Sequence, residues 1–404
     1  MNILSRDIIK KLEIIKEADI IVGITDLHDD TSIARVIKAV SFGLAKYFPE
    51  QKALIIKSGG KDDEVFSNLD IYEERELNFI YTSFMPVHRF IIGQPVERSN
   101  FLKGLFYASD MLNASACVVL RGDLQSINPE WIEGLVAPVI KGDYDYISPV
   151  YVIHHNDGLI NNNLVYPLIR SLFGTDIRYP GAGDYAMSVD LARSFLEKEL
   201  WDMDIDIWVA TAAAGEGFET GQVFLGNKLI DKFDTIQDMK QKFIKTSETL
   251  FHLMKLYKEI WTNCEEEKHL TDFGYHYKIS PPPVSLNKNE IISEGEESFK
   301  EYRNSIKKVL SKDTFNKIEQ IFSSPGGASS FPAELWVKIL FEYVSYISLH
   351  GGELSKSIVP LFFLRISSLI GNGEISPDEL QKRLDSEYNL FINIKGSLSG
   401  GSGK

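Results

Sequence analysis

The chain has 404 residues, of which 44% are hydrophobic and 25% charged, an ordinary globular composition with room for one large or two medium domains. Its 43 basic and 57 acidic side chains leave a formal charge of −14, which argues against a general nucleic-acid or anionic-membrane binder but leaves room for a local basic pocket. The only cysteines, Cys117 and Cys264, exclude a disulfide framework or a cysteine zinc site and point to a reducing, cytoplasmic setting.

Residues 1–7 lack the apolar core of a signal peptide, and no apolar run is long enough to span a bilayer. A leading helix is predicted over 5–18. Residues 19–24 read as a first strand, broken by the polar loop Thr25-Asp26-Leu27-His28-Asp29-Asp30. Over 31–48, Ile33, Val36, Ile37, Val40 and Leu44 recur at helical spacing. A second strand over 52–57 ends at Ser58-Gly59-Gly60. A third strand over 78–82 and a helix over 99–112 follow. Ala116-Cys117-Val118-Val119-Leu120 is an unbroken apolar run that suits a strand buried on both faces. It stops at Arg121-Gly122-Asp123. A helix over 126–139, a strand over 144–152, a helix over 164–173, a turn at 179–184, a helix over 204–216 and a strand over 221–230 come next.

From 238 the pattern turns helical, with candidates at 238–262, 297–321, 331–350, 356–371 and 377–386 and a linker around Pro281-Pro282-Pro283. The Gly/Ser-rich tail 396–404 is set aside. The strand–helix alternation predicts a doubly wound α/β fold whose polar tips, at 25–30, 58–62 and 121–123, line one edge of the sheet. At that edge Asp123 offers hard oxygen ligands to a divalent cation, which can in turn hold a diphosphate. A solvated Asp in a strand-ending turn is the plainer alternative.

Further stretches sharpen this. Arg121-Gly122-Asp123-Leu124 is followed by Ser126, Pro129, Glu130 and Trp131. Then come Pro149-Val150-Tyr151-Val152, Asp157-Gly158-Leu159-Ile160-Asn161-Asn162, Tyr166-Pro167-Leu168, Tyr179-Pro180-Gly181-Ala182-Gly183-Asp184-Tyr185, Asp204-Ile205-Asp206-Ile207-Trp208 and Gln222-Val223-Phe224-Leu225-Gly226-Asn227-Lys228. In this order, with Thr25–Asp30 and Lys57-Ser58-Gly59-Gly60 before them, they resemble the nucleotide-sugar glycosyltransferases of the GT-A fold. The similarity is nearest to the retaining enzymes that make glucosylglycerate, mannosylglycerate and glucosyl-3-phosphoglycerate, and it spans about residues 18–235.

The resemblance implies a GT-A domain over 1–237, Rossmann-like with a mostly parallel sheet flanked by helices, and a helical C-terminal region over 238–395 that packs on it. It implies donor contacts from Thr25, Asp26, Leu27, Asp29, Ser58, Arg98, Arg121, Gly122, Asp123, Gly181 and Lys228, and acceptor contacts from Asn161, Asn162, Gly183 and Asp184. Asp123, Asp184 and Asp206 are the implied catalytic acids. Asp29 can accept from ribose hydroxyls or merely open the next helix. Asp184 and Asp206 can hold sugar hydroxyls or serve as solvated or capping acids. Mg2+ or Mn2+ is implied at Asp123, with Asp231 as a second ligand.

Two departures from the family pattern matter. The first acid of the metal motif is replaced by Arg121, and the usual metal-binding His is replaced by Ile230, beside Asp231. Arg121 can neutralise diphosphate charge itself. Leu159 stands where phosphoglycerate-using members carry Arg, which predicts an unphosphorylated acceptor of glycerate size. The implied activity is transfer of a hexose from a nucleotide diphosphate sugar, UDP-glucose or GDP-mannose, to a small hydroxy acid, with retention. A glucosyl-3-phosphoglycerate synthase and a non-catalytic nucleotide-sugar binder are the alternatives. A nucleotidyltransferase ranks behind them, because the loop at 25–30 is acidic. The apolar stretch at 358–366 and the face carrying Leu250, Leu253, Met254 and Tyr257 predict packing and a homodimer.

Overall fold

The computed structural model describes residues 6–25, 30–58, 78–82, 97–198, 203–230, 235–264, 267–277, 279–324, 331–370 and 375–399. The chain forms two compact units. The first takes Met1–Tyr151, Gly181–Phe233 and Leu270–Ile279; the second takes Val152–Pro180, Asp234–His269 and Ser280–Lys404. A single cut at 237 was expected. Instead the chain passes between units several times, because residues 152–180 belong with the C-terminal helices and 270–279 with the sheet.

Among the described residues the first unit is built on eight strands: β1 (Ile20–Thr25), β2 (Ala53–Ser58), β3 (Asn78–Thr82), β4 (Ala116–Arg121), β5 (Tyr146–Val152), β6 (Tyr185–Ser188), β7 (Thr220–Asn227) and β8 (Thr271–Phe273), in the order β3-β2-β1-β4-β6-β5-β7-β8. The α/β class expected from the sequence is met. β1 pairs in parallel with both β2 and β4, so Val22 lies between Ile55 and Val118. All six residues of β1 are buried. Such strands must be apolar throughout, which is why they stood out as unbroken runs. The register sets Thr25 opposite Arg121, and Ile24 opposite Lys57, so Ser58 ends at the same edge.

Helices α1 (Arg6–Ile15), α2 (Asp30–Tyr47), α3 (Glu97–Met111), α4 (Pro129–Ile140), α6 (Val189–Leu196) and α7 (Ile205–Gly215) complete this unit. α2 packs on α4 at Gly43, where a Cβ would lie 2.7 Å from the Pro129 carbonyl oxygen and 2.7 Å from Ile132. Gly43→Ala is therefore expected to destabilise by about 1–3 kcal/mol despite alanine's better helix propensity, since the backbone carbonyl has nowhere to go. A lower urea midpoint at unchanged slope is the readout; a raised midpoint would contradict the packing.

Two elements escaped the sequence pattern. β6 has four residues and runs antiparallel between β4 and β5. It is too short to show alternation, and Ser188 at its end caps α6 by accepting from the Leu191 N–H at 3.2 Å. β8, with three residues, extends the edge beside β7. Cys117, in β4, is fully buried, and that burial pushes its thiol up to about 12 while a bond with Ser109 opposes the rise. A thiol reagent should thus label Cys264 alone in the native protein and both cysteines in denaturant. Two labels under native conditions would mean that β4 is not buried.

The second unit is helical: α5 (Tyr166–Phe173), α8 (Ile236–Leu256), α9 (Lys258–Thr262), α10 (Lys288–Val309), α11 (Lys312–Ser323), α12 (Ala333–His350), α13 (Val359–Leu369) and α14 (Pro377–Ser399). The helix expected over 297–321 is two, parted where Ser311 accepts from the Thr314 N–H and caps α11. α14 runs past 386 to Ser399 and takes in the start of the tail that was set aside, because it buries Leu384 and Phe391. Ile358, Leu361, Phe362 and Phe363 are fully buried, and Phe362 stacks on Phe243 with centroids 4.0 Å apart. Leu250, Leu253 and Met254 are buried as well. The chain itself covers the surface that motivated a homodimer. Among the described residues no helix is long and apolar enough to cross a membrane.

Candidate functional site

Six charged side chains of the first unit meet where β1 and β4 end and β6 begins. Arg121 closes β4, and its backbone N–H donates to Asp184 Oδ1 at 2.9 Å. The Arg121 side chain turns back two residues: Nε donates to Asp123 Oδ1 at 2.9 Å and Nη2 to Oδ2 at 2.6 Å. Both Asp123 oxygens are thus held by one planar fork, the strongest geometry a guanidinium offers a carboxylate. Asp123 is fully buried, while the Arg121 side chain keeps 23% exposure.

Asp184 immediately precedes β6 and is also fully buried. Its Oδ2 accepts from Lys228 Nζ at 2.6 Å and from the Tyr151 hydroxyl at 3.1 Å. Lys228 also donates to the Ala182 carbonyl at 2.5 Å and sits over the Tyr151 ring. Asp206, in the first turn of α7, takes the third cation: Arg98 Nε and Nη2 reach its two oxygens at 3.0 and 3.1 Å. Arg98 also donates to the Gly183 carbonyl at 3.1 Å and, through Nη1, to the Thr25 hydroxyl. The Asp206 charge near a helix N-terminus is favourable in its own right.

Gly183 is the hub of this arrangement. Its φ is +78°, and an added Cβ would lie 3.2 Å from Arg98 Nη2 and 3.4 Å from Arg121 Cδ. The left-handed backbone and the lack of a side chain let two guanidinium groups close on the turn. Gly122 is held to the end of β1, its N–H donating to the Thr25 carbonyl at 2.6 Å. Gly181 packs against Ile207, to which a Cβ would come within 3.2 Å.

Of the residues expected from the sequence, Thr25, Arg98, Arg121, Gly122, Asp123, Gly183, Asp184, Asp206 and Lys228 are brought into one network. Ser58 ends β2 on the same edge. Asn161 and Asn162 lie in the second unit, in a π-helical turn over Asn161–Val165. Asp26, Leu27, Asp29 and Asp231 lie outside the described residues. Sequence reasoning missed Tyr151, which was quoted in a motif but given no role; an aromatic residue in a strand carries no sign that its hydroxyl meets a buried acid. It also missed Arg178, whose Nη1 donates to Asn162 Oδ1 at 3.0 Å. Leu159, from which an unphosphorylated acceptor was expected, is a buried apolar residue.

The donor set can be tested against a divalent ion. Among the described residues, no three His, Cys, Asp or Glu side chains are placed to hold a metal ion. Asp123 is a hard donor suited to one ligand position, but only when Arg121 leaves it. Ile230 cannot ligate. It forms an antiparallel bridge with Leu124, next to the Gln125 N–H bond to the Leu229 carbonyl at 2.8 Å.

No protein-family model matches the chain, and no curated protein matches it. Among solved structures, the chain is similar to glucosyl-3-phosphoglycerate synthase from Mycobacterium tuberculosis in complex with phosphoglyceric acid. The identity is 18%, over 61% of this chain and 83% of that one, with a TM-score of 0.43. The same synthase with Mn2+, UDP and glucosyl-3-phosphoglycerate gives 18% identity over 62% and 84%, with a TM-score of 0.44. A structure described as a mycobacterial protein gives 19% over 60% and 77%, also at 0.44.

Proposed function

We propose that the chain is a glycosyltransferase of GT-A type, moving a hexose from a nucleotide diphosphate sugar, UDP-glucose or GDP-mannose, to a small hydroxy-acid acceptor such as glycerate, with retention. The observation that carries this reading is the convergence of Arg98, Arg121 and Lys228 on the turn at Ala182-Gly183-Asp184, at the carboxyl edge of a mostly parallel sheet. Each of the three is held by a carboxylate, and in a chain of net charge −14 they are the proposed contacts for the diphosphate. As the bond to the anomeric carbon breaks, negative charge grows on the leaving diphosphate, and preplaced cations stabilise it without reorganisation.

Asp123, Asp184 and Asp206 keep these cations in place before the donor arrives. The exposed part of Arg121 is the portion able to turn toward a diphosphate. A Mg2+ or Mn2+ ion, when bound, would be held by Asp123 and Asp231 and would neutralise part of the same charge. Asn161 and Asn162, with amide groups that can donate and accept, are the proposed acceptor contacts. The homodimer expected from the sequence loses its motive, since the apolar faces that suggested it are buried within the chain; light scattering checks it.

A panel of nucleotide sugars, offered with glycerate or 3-phosphoglycerate, in Mg2+, Mn2+ or EDTA, tests the proposal by mass spectrometry of the glycoside formed. Transfer to at least one acceptor is the expected result. A second reading, nucleotide-sugar binding without turnover, is favoured by one observation, the Arg121 fork closed on Asp123. Tight donor binding with no glycoside under any condition would establish that reading and overturn the first.

A further inference from the structure

In the first unit, α4, β7 and the chain that follows β8 line a groove of about 650 Å³, the size of a small-molecule site. All of its lining belongs to that unit, and none of the charged side chains around Gly183 takes part in it. The walls are aromatic. Phe224 and Tyr277 stand at 88° with centroids 5.3 Å apart, and Tyr144 and Phe273 at 85° with centroids 5.2 Å apart. The Tyr144 hydroxyl donates to Thr271 Oγ1 at 2.9 Å and ties the second pair to the edge strand. Gly226 has a φ of +77°, and a Cβ there would lie 2.5 Å from the Tyr277 hydroxyl, so β7 is shaped to seat that ring. Tyr275, a further tyrosine of the lining, is 83% exposed and Tyr277 48%.

Charged groups complete the lining. Glu130 is engaged by Lys46 at 3.1 Å. Glu133, Asp143 and Lys141 are exposed, and among the described residues no hydrogen bond or ion pair holds their side chains. Two carboxylates against one ammonium leave the groove net negative, and that balance selects among occupants. An anion is repelled. A purely apolar ligand would take water from the carboxylates without replacing it. A neutral polyol would hydrogen-bond the acids but leave their charge uncompensated. An organic cation uses both parts of the lining, because ring faces carry negative potential and the carboxylates carry full charge. Aromatic cages hold ammonium groups in this way.

We propose that this groove binds an organic ammonium ion, with the rings of Tyr144, Phe224, Phe273 and Tyr277 around the cation and Glu133 and Asp143 balancing its charge. The site does not depend on the transfer reading. Isothermal titration of the full chain at physiological salt tests it, with choline, spermidine, glucose and 3,3-dimethylbutan-1-ol, the uncharged isostere of choline. At least one of the two cations binds, and the two neutral compounds do not. Tyr277→Leu should weaken that binding about tenfold, the loss of one sheltered cation–π contact, while Tyr277→Phe should keep it. Glu133→Gln combined with Asp143→Asn should weaken it as well, and Lys141→Gln, which removes the competing charge, should tighten it. The proposal is overturned if neither cation binds, or if either neutral compound binds as tightly as the cations. It is overturned too if Tyr277→Leu and the double variant both bind as the native protein does, since the net charge of the chain alone would then attract the cation. Should Tyr277→Leu fail to fold, unchanged binding by the double variant, whose two acids are exposed, overturns it equally.

Discussion

Arg121→Ala should lower the affinity for a nucleoside diphosphate about 10- to 100-fold, the loss expected from removing one charge-assisted contact worth about 1.5–3 kcal/mol. The same change removes the Arg121 fork from Asp123, a carboxylate with no exposure. Removing one member of a buried pair costs about 3–5 kcal/mol; the partial exposure of Arg121 places this case toward the lower end. A cation that can reach Asp123 should restore part of what is lost. Melting temperatures of the variant, measured in EDTA and in Mn2+, are expected to differ by several degrees, whereas the native protein should respond weakly. An equal response of both proteins would show that Arg121 does not occupy the place of an ion.

The second large effect is expected at Asp184. Its carboxylate receives the Arg121 N–H, the Tyr151 hydroxyl and Lys228 Nζ, and it has no exposure to water. Asp184→Ala leaves Lys228, only 17% exposed, without its carboxylate, at a cost of about 3 kcal/mol or more. Asp184→Asn keeps the shape and part of the bonding and should cost less. Pairing Asp184→Ala with Lys228→Met tests the coupling directly. If the loss of Asp184 from the Lys228 ammonium is the main penalty, the double variant should be more stable than the sum of the single changes, by about 1–3 kcal/mol in urea unfolding. Strict additivity would mean that the two groups do not act on one another.

These two sites differ in how far the sequence announced them. The tip at Arg121-Gly122-Asp123 was visible because an apolar run stops there abruptly, a run that suits a strand buried on both faces. Yet the residue that looked like a lost metal ligand turns out to be the partner of the acid that was kept. Spacing alone cannot show this, since β4 ends at Arg121 and the turn that follows, not the alternation of a strand, sets where the Asp123 carboxylate lies. Tyr151 and Arg178 carried no signal at all, because a phenol or a guanidinium in a buried element looks like packing until its partner is known.

What the sequence by itself determined is the set of elements whose chemistry is local: the both-face-buried strands β1, β2 and β4, the amphipathic helices, and the polar tips that end the strands. Each follows from burying apolar side chains within a few residues of chain, at a period of two or 3.6. Only the tertiary structure decided the pairings that carry the site. Arg98 meets Asp206 across 108 residues and Lys228 meets Asp184 across 44. Those meetings depend on the antiparallel insertion of β6 between β4 and β5. A buried charge is tolerated only where an opposite charge arrives from elsewhere in the fold. Which cation arrives is set by strand order and chain crossing, quantities that no window of sequence contains.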